Sequence, residues 1–421
     1  MLFGGVITAA ALLLQACVVQ ASPAGEPYDV IRKRALTFPY GAQKVRGVNL
    51  GGWFVLEPWI TPSLFTGGAV DEYNLCRQLG KSACLQRLSR HWDNFYTEAD
   101  FQQIAAAGLN HVRIPIGYWA VDPYDWDPYV QGQIPRLDRA ISWAGKYGLK
   151  VWIDLHGVPG SQNGFDNSGL RDQINWQAGA GNVEQTKRVI RMLAKKYALP
   201  KWNNVVTAIE LVNEPLGPRL DMNQVRQYYY DGWGIIREYG DIAVVISDAF
   251  QPPRSWNGFM RNGFNNVILD VHHYEVFDPN QLSMPIDQHI GQACGVGHDI
   301  QGADKWTVVG EWSGALTDCT YWLNGVGRGA RWDNSFPGSW WHGSCDRRVR
   351  GSINQLNQQE RTNTRRYIEA QLDAYERGAG WFFWTWKTEQ GSPEWEMRDL
   401  IRNGVFPQPL NARQFPNQCG F

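Results

Sequence analysis

Residues 206–215 read Val206-Thr207-Ala208-Ile209-Glu210-Leu211-Val212-Asn213-Glu214-Pro215. The apolar, β-branched body has the length and composition of a strand buried on both faces of a parallel sheet. Proline has no N–H to give to a ladder, so Pro215 marks the point where the chain leaves the sheet. That places Glu214 at the carboxyl end of a central strand, with the Asn213 amide beside it. A second stretch, Trp306-Thr307-Val308-Val309-Gly310-Glu311-Trp312-Ser313, has the same form: an apolar strand, then a glutamate. In barrels of alternating strand and helix, catalytic residues project from such strand ends.

Working outward, the pattern recurs. Strands are expected to start near residues 45, 111, 150, 205, 242, 267, 306 and 381, most of them separated by helical patterns. Thr97 with Asp100 reads as a capping box, ahead of Phe101, Ile104 and Ala105, with Gly108 as the stop. Further helices are expected over 137–147, 183–198, 224–239 and 364–377. Alternation of this kind predicts a single (β/α)8 TIM barrel. Residues in excess of a minimal barrel fall after strand ends, at 54–96, 117–136, 157–182, 274–304 and 313–363. Long loops there would narrow a groove into a pocket on the catalytic face.

Whole-chain quantities narrow the class. The chain has 421 residues, with 40 Lys+Arg against 41 Asp+Glu, which argues against a polyanionic partner, and no nucleic-acid motif is present. Aromatic content is 13% with 21 Trp, suited to stacking on sugar faces as well as to a core. Residues 1–21 have the apolar, small-residue character of a secretory signal, and Lys33-Arg34 offers a dibasic site that would release a pro-segment, 22–34. The catalytic domain is then 35–421, with no later membrane span, and the protein is expected to be secreted, extracellular or in a cell wall, and monomeric. Beyond Cys17 six cysteines remain, an even number that suits disulfides in a secreted chain; Cys76 and Cys84 are close enough for a local bridge. No CxxC or HExxH pattern occurs, and no metal or cofactor is expected.

Two strand-end glutamates far apart in sequence suit glycoside hydrolysis, which needs an acid at the leaving oxygen and a second carboxylate across the anomeric carbon. Arg113, inside the apolar strand VRIPIG, must be paired; it would either hold a nucleophilic carboxylate ionised or form a structural pair with Glu210. His156 ends one strand, and His272-His273-Tyr274 ends another. Alternation puts His272 and Tyr274 on one face and His273 on the other. Trp384 and Trp386 would also share a face, one of them as a sugar platform. Phe165 and Phe277 sit in polar loops as an aromatic clamp at the pocket mouth.

The segments RGVNLGGWFVLEP, VRIPIGYW, DLHGVPGSQNGFDNSG, IELVNEP, VHHYEVF, VGEWSGALTDC and FFWTWKTE together resemble the fungal exo-β-1,3-glucanases of glycoside hydrolase family 5, from about residue 38 to the C-terminus. The resemblance implies a retaining mechanism, with Glu214 as acid/base and Glu311 as nucleophile. It implies further active-site positions at Arg113, His156, Asn213, His272, Tyr274 and Trp384, a glucose-binding carboxylate at Glu57, and the entrance pair Phe165 and Phe277. It also implies disulfides Cys294–Cys419 and Cys319–Cys345, leaving Cys76 and Cys84 for each other. The substrate implied is a β-glucan polysaccharide or oligosaccharide, cleaved to glucose from its non-reducing ends. A β-glucanase of other linkage or endo mode, or a non-catalytic glucan-binding wall protein, are the competing expectations. The chain departs from the family at Trp59, where a tyrosine is expected in the pocket wall. Trp340 and Trp341, in the loop 332–345, are expected to extend the acceptor side.

Overall fold

The computed structural model describes Met1 and residues 36–421; the expected signal and pro-segment fall, Met1 apart, outside the described residues. Eight parallel strands close into one barrel in sequence order. They are β1 (Val45–Asn49), β2 (His111–Gly117), β3 (Lys150–Gly157), β4 (Val206–Glu210), β5 (Ala243–Ser247), β6 (Val267–His272), β7 (Trp306–Glu311) and β8 (Gly380–Phe383). The helices are α1 (Glu72–Leu79), α2 (Lys81–Asn94), α3 (Glu98–Ala106), α4 (Gln133–Lys146), α5 (Asn182–Tyr197), α6 (Met222–Arg237), α7 (Pro279–Leu282), α8 (Ile286–Gln301), α9 (Gln358–Tyr375) and α10 (Met397–Arg402).

Each strand is buried nearly end to end because helices cover the sheet outside and side chains fill it within. The lower interior is an apolar plug that includes Trp152, Ala208, Val245, Ile268, Val308 and Phe382, with Phe38 and Tyr40 packed into the same cluster. Helix starts follow their caps. The Asp100 carboxylate accepts the Thr97 backbone N–H at 2.9 Å, and Asn357 with Glu360 makes a second capping box.

Several expected boundaries are corrected. β4 stops at Glu210 rather than running on to Glu214, although Leu211 N still bonds Val245 O and Asn213 N bonds Leu155 O, both at 3.0 Å. The chain thus stays against its neighbours while leaving regular pairing. β6 ends at His272 and β8 at Phe383. α9 begins at Gln358, six residues before the first expected position, because its first turn is polar and only its cap announces it. Most of 274–304 is helix α8, not loop. Its three glycines lower helix propensity, but Gly297 lets it approach α9, where a Cβ would meet Ala374 Cα at 3.0 Å. The bridges are Cys76–Cys84, Cys294–Cys419 and Cys319–Cys345; the second ties α8 to the C-terminal segment. Among the described residues no helix is long and apolar enough to cross a membrane.

Candidate active site

The carboxyl ends of the strands surround a pocket of about 340 Å³. Glu214 and Glu311 both line it, with Glu57 and Trp59 from the segment after β1, Tyr274 and Phe277 from beyond β6, and Trp384 from beyond β8. The expected loop 117–136 contributes no lining residue.

Glu311 is the last residue of β7. Gly310 before it has a steric reason: a Cβ there would come within 2.0 Å of Asp270 Oδ1. Glu214 stands past the end of β4 at φ 45°, a left-handed conformation that non-glycine residues rarely adopt. Its neighbours hold it there. Asn163 Nδ2 donates to Glu214 O at 3.2 Å, Gln162 Nε2 to Asn213 O at 2.8 Å, and Leu216 N to Gln162 O at 3.1 Å. One oxygen of Glu214, one oxygen of Glu311 and a ring nitrogen of His272 lie within 4.8 Å of one another.

Beneath the pocket lies Arg113, its side chain fully buried. Its Nη1 meets Glu311 Oε1 at 2.9 Å, Nε meets Glu210 Oε2 at 2.8 Å, and Nη2 meets Asp154 Oδ2 at 3.1 Å. Asp270 Oδ2 stands 3.8 Å from Nε. Nη1 also donates to Asn49 Oδ1 at 3.1 Å and Nη2 to Asn213 Oδ1 at 2.8 Å. Arg113 thus pairs with Glu210 and also contacts Glu311. One guanidinium cannot balance this many carboxylates. Burial, despite Arg113's opposing charge and with Asp154 and Asp270 adding to it, pushes Glu210 well above the usual carboxylate range.

His272 joins the two glutamates: its Nδ1 lies 2.8 Å from Glu214 Oε1 and 3.6 Å from Glu311 Oε2, and its Nε2 lies 3.3 Å from Asp270. Tyr274 donates its hydroxyl to Glu311 Oε2 at 3.0 Å. His273 faces the other way, onto the Tyr375 hydroxyl at 2.6 Å, as alternation predicts. His156 is held by Asp154 at 2.6 Å and stacks on Trp384 at 5.6 Å. Arg113, His156, Asn213 and His272 therefore form a layer beneath the pocket surface rather than its lining. Burial raises Glu214, but the His272 hydrogen bond and charge outweigh it and hold the group below its usual range. Burial lifts Glu311, with the Glu214 charge adding and His272 and Arg113 opposing.

The departure at Trp59 has a local role: its indole N–H donates to Glu57 Oε2 at 3.0 Å, and Gly52 N donates to Glu57 Oε1 at 3.2 Å. Burial first, then the charges of Glu311 and Asp166, raises Glu57 well above the usual range. Trp384 and Trp386 do not share a face, because β8 ends before them. Trp384 lines the pocket, while Trp386 points its N–H to Asp100 at 3.3 Å in the core. Phe165 and Phe277 line the pocket half-exposed, and Phe250, which the sequence reading did not single out, joins them with its ring 6.3 Å from Phe165. Its signal was an aromatic in the polar turn after β5. Asp166, Asn324, Arg328, Arg331 and Phe336 also line the pocket and carried no sequence signal. Two trios, Glu214–His272–Glu311 and Glu210–Asp270–His272, have metal-ligand spacing, but their atoms already serve the ion pairs and hydrogen bonds above.

Residues 76–321 match the family profile described as cellulase (glycosyl hydrolase family 5). A glucan 1,3-beta-glucosidase of Blumeria graminis is 54% identical over 399 residues, covering 93% of each chain. A glucan 1,3-beta-glucosidase of Schwanniomyces occidentalis is 51% identical over 422 residues, covering 98% of each. Among solved structures, rutinosidase from Aspergillus niger aligns with a TM-score of 0.70 at 20% identity, over 88% of this chain and 99% of that one, a likeness of fold.

Proposed function

We propose a reaction from the premise that the chain belongs to glycosyl hydrolase family 5: retaining exo-hydrolysis of β-1,3-glucan, releasing glucose from non-reducing ends. The observation that carries it is the approach of Glu214 and Glu311 to within 4.8 Å across one pocket. Retaining enzymes hold their two carboxyl groups about 5–5.5 Å apart, whereas inverting ones need about 6.5–9.5 Å to admit a water.

Glu311 attacks the anomeric carbon as Glu214 protonates the departing glycosidic oxygen; the C–O bond breaks and a glucosyl ester forms on Glu311. Water enters, Glu214 takes its proton, and the hydroxide oxygen bonds to the anomeric carbon while Glu311 leaves as carboxylate. The reactive arrangement puts the carboxyl proton on Glu214 and the charge on Glu311. That order is the reverse of the directions described above, in which the His272 contact holds Glu214 down and burial lifts Glu311. Arg113 and Tyr274, each bonded to one oxygen of Glu311, support the charge there.

Exo action is supported by a pocket lined in part by the buried side chains of Glu57, Trp59, Trp384 and Trp395, which a glucan would enter by its end. The same reading makes the protein secreted, in keeping with its three disulfides. Product analysis on β-1,3-, β-1,6- and β-1,4-linked glucans tests it. β-Glucose is expected first, from the β-1,3 polymer; early mixed oligosaccharides would mean endo cleavage, and α-glucose would mean inversion. Glu311→Gln is expected to abolish turnover while leaving the circular dichroism spectrum unchanged; retained activity would remove Glu311 as nucleophile.

A further inference from the structure

Outside the pocket lining, two adjacent exposed tryptophans stand at the tip of the loop after β7. Trp340 is 45% exposed and Trp341 63%. Neither ring lines the pocket, and a buried pair of this size would ordinarily add to a core. The loop is not slack. Cys319–Cys345 bridges it on either side of the tip. The fully buried Asp318 accepts from the backbone N–H of Arg331 at 2.7 Å and of Trp332 at 2.9 Å. Asp333 and Trp341 form an antiparallel bridge, and His342 N bonds Trp332 O at 2.9 Å. The tryptophans are thus presented on a braced hairpin, which lowers the entropy lost when a ligand lies on them.

The hairpin is continuous with the pocket mouth. Arg331 stacks its guanidinium over Phe277 at 5.9 Å and over Phe336 at 4.0 Å, and Phe336 itself lines the pocket. Ser339, next to Trp340, bonds back to Phe336 O at 3.3 Å. A row of rings also runs outward from the pocket wall. Trp332 packs against the cluster holding Trp59 and Trp395, His342 stacks on Trp332 at 5.7 Å, and Trp340 lies 5.3 Å from His342.

Resting on the glucanase reading above, we propose that Trp340 and Trp341 form a distal acceptor-side platform that holds a β-glucan chain beyond the Phe165–Phe277 entrance. Flat, amphipathic indoles suit the apolar faces of glucose units, while the Arg331 and Phe336 bridge keeps platform and pocket in register. The platform contacts only a chain long enough to emerge from the pocket, so it raises affinity for polymer and leaves short substrates untouched.

The test uses the full chain carrying Glu311→Gln, so that binding is read without turnover. Trp340→Ala and Trp341→Ala are added singly and together, and each is titrated calorimetrically with laminaribiose and with a long soluble β-1,3-glucan. The long glucan is expected to weaken by about two- to tenfold per ring, the disaccharide is expected to bind unchanged, and Trp→Tyr variants are expected to recover most of the loss. Unchanged polymer affinity, or an equal loss for the disaccharide, overturns the platform. If the parent binds another β-glucan in preference to the β-1,3 polymer, the linkage reading fails instead, and the same comparison on that glucan decides the platform.

Discussion

Tyr274→Phe removes one atom from the set that holds charge on Glu311. The ring stays, with its neighbours Trp395 at 5.3 Å and Phe277 at 5.7 Å, so the pocket wall should keep its shape. What goes is the hydroxyl donation to Glu311 Oε2 at 3.0 Å. A hydrogen bond to a charged group contributes about 1.5–3 kcal/mol. Arg113 keeps its hold on the other oxygen, which favours the lower end, and about 1.4 kcal/mol is tenfold in rate. We expect kcat/KM on an aryl β-glucoside to fall about tenfold or somewhat more. The sign of the pH effect is fixed by the role. With Glu311 as the proposed nucleophile, turnover needs it ionised; losing a donor raises its proton affinity, and the acid limb of the kcat/KM profile should therefore move to higher pH. An unshifted acid limb with wild-type kcat/KM would refute the claim that Tyr274 supports the nucleophile's charge.

Three other perturbations follow from the same geometry. Arg113→Met removes the cation shared by Asp154, Glu210, Asp270 and Glu311 and should cost about 3–5 kcal/mol in urea unfolding, because it breaks a buried ion-pair network by taking out one partner. His111 is held neutral, its proton affinity pushed by burial, first of all, from 6.5 down to about 3. Between those values the unfolded chain binds more protons, so its contribution is complete above pH 6.5 and is lost as pH falls toward 3. His111→Phe should flatten the melting temperature against pH over that window, and an unaltered slope would mean that other groups set it. Replacing Cys319 and Cys345 with serine opens a loop spanning 26 residues; about 3 kcal/mol of unfolding free energy should go with it, measured by the urea midpoint under non-reducing conditions.

The barrel and its two glutamates were legible because they depend on local pattern: apolar runs of strand length, each ending in a glutamate. Tyr274 and His272 followed from alternation, which held because the chain stays extended through the end of β6. The same rule failed for Trp386, since β8 stops at Phe383 and the backbone then turns. α8 was missed for a tertiary reason: a segment with Gly291, Gly295 and Gly297 has poor propensity and is helical because it packs on α9. Asp154 and Asp270 read as ordinary strand residues, and only closure of the sheet brings them to Arg113. Arg331 and Phe336 reach the pocket because Asp318 gathers the loop around itself, an arrangement that spacing alone does not reveal.

The surplus of acid groups around Arg113 bears on what the pocket would hold most tightly. At the pocket floor four carboxyl side chains, Asp154, Glu210, Asp270 and Glu311, stand within 3.8 Å of the one Arg113 guanidinium, with Glu214 beside His272, while Arg171, Arg328 and Arg331 line the pocket elsewhere. Such a cage welcomes positive charge where the sugar ring develops oxocarbenium character. A protonated nitrogen built into a glucose-shaped ring would meet that field permanently rather than for an instant, which makes basic sugar mimics the natural starting point for blocking this protein.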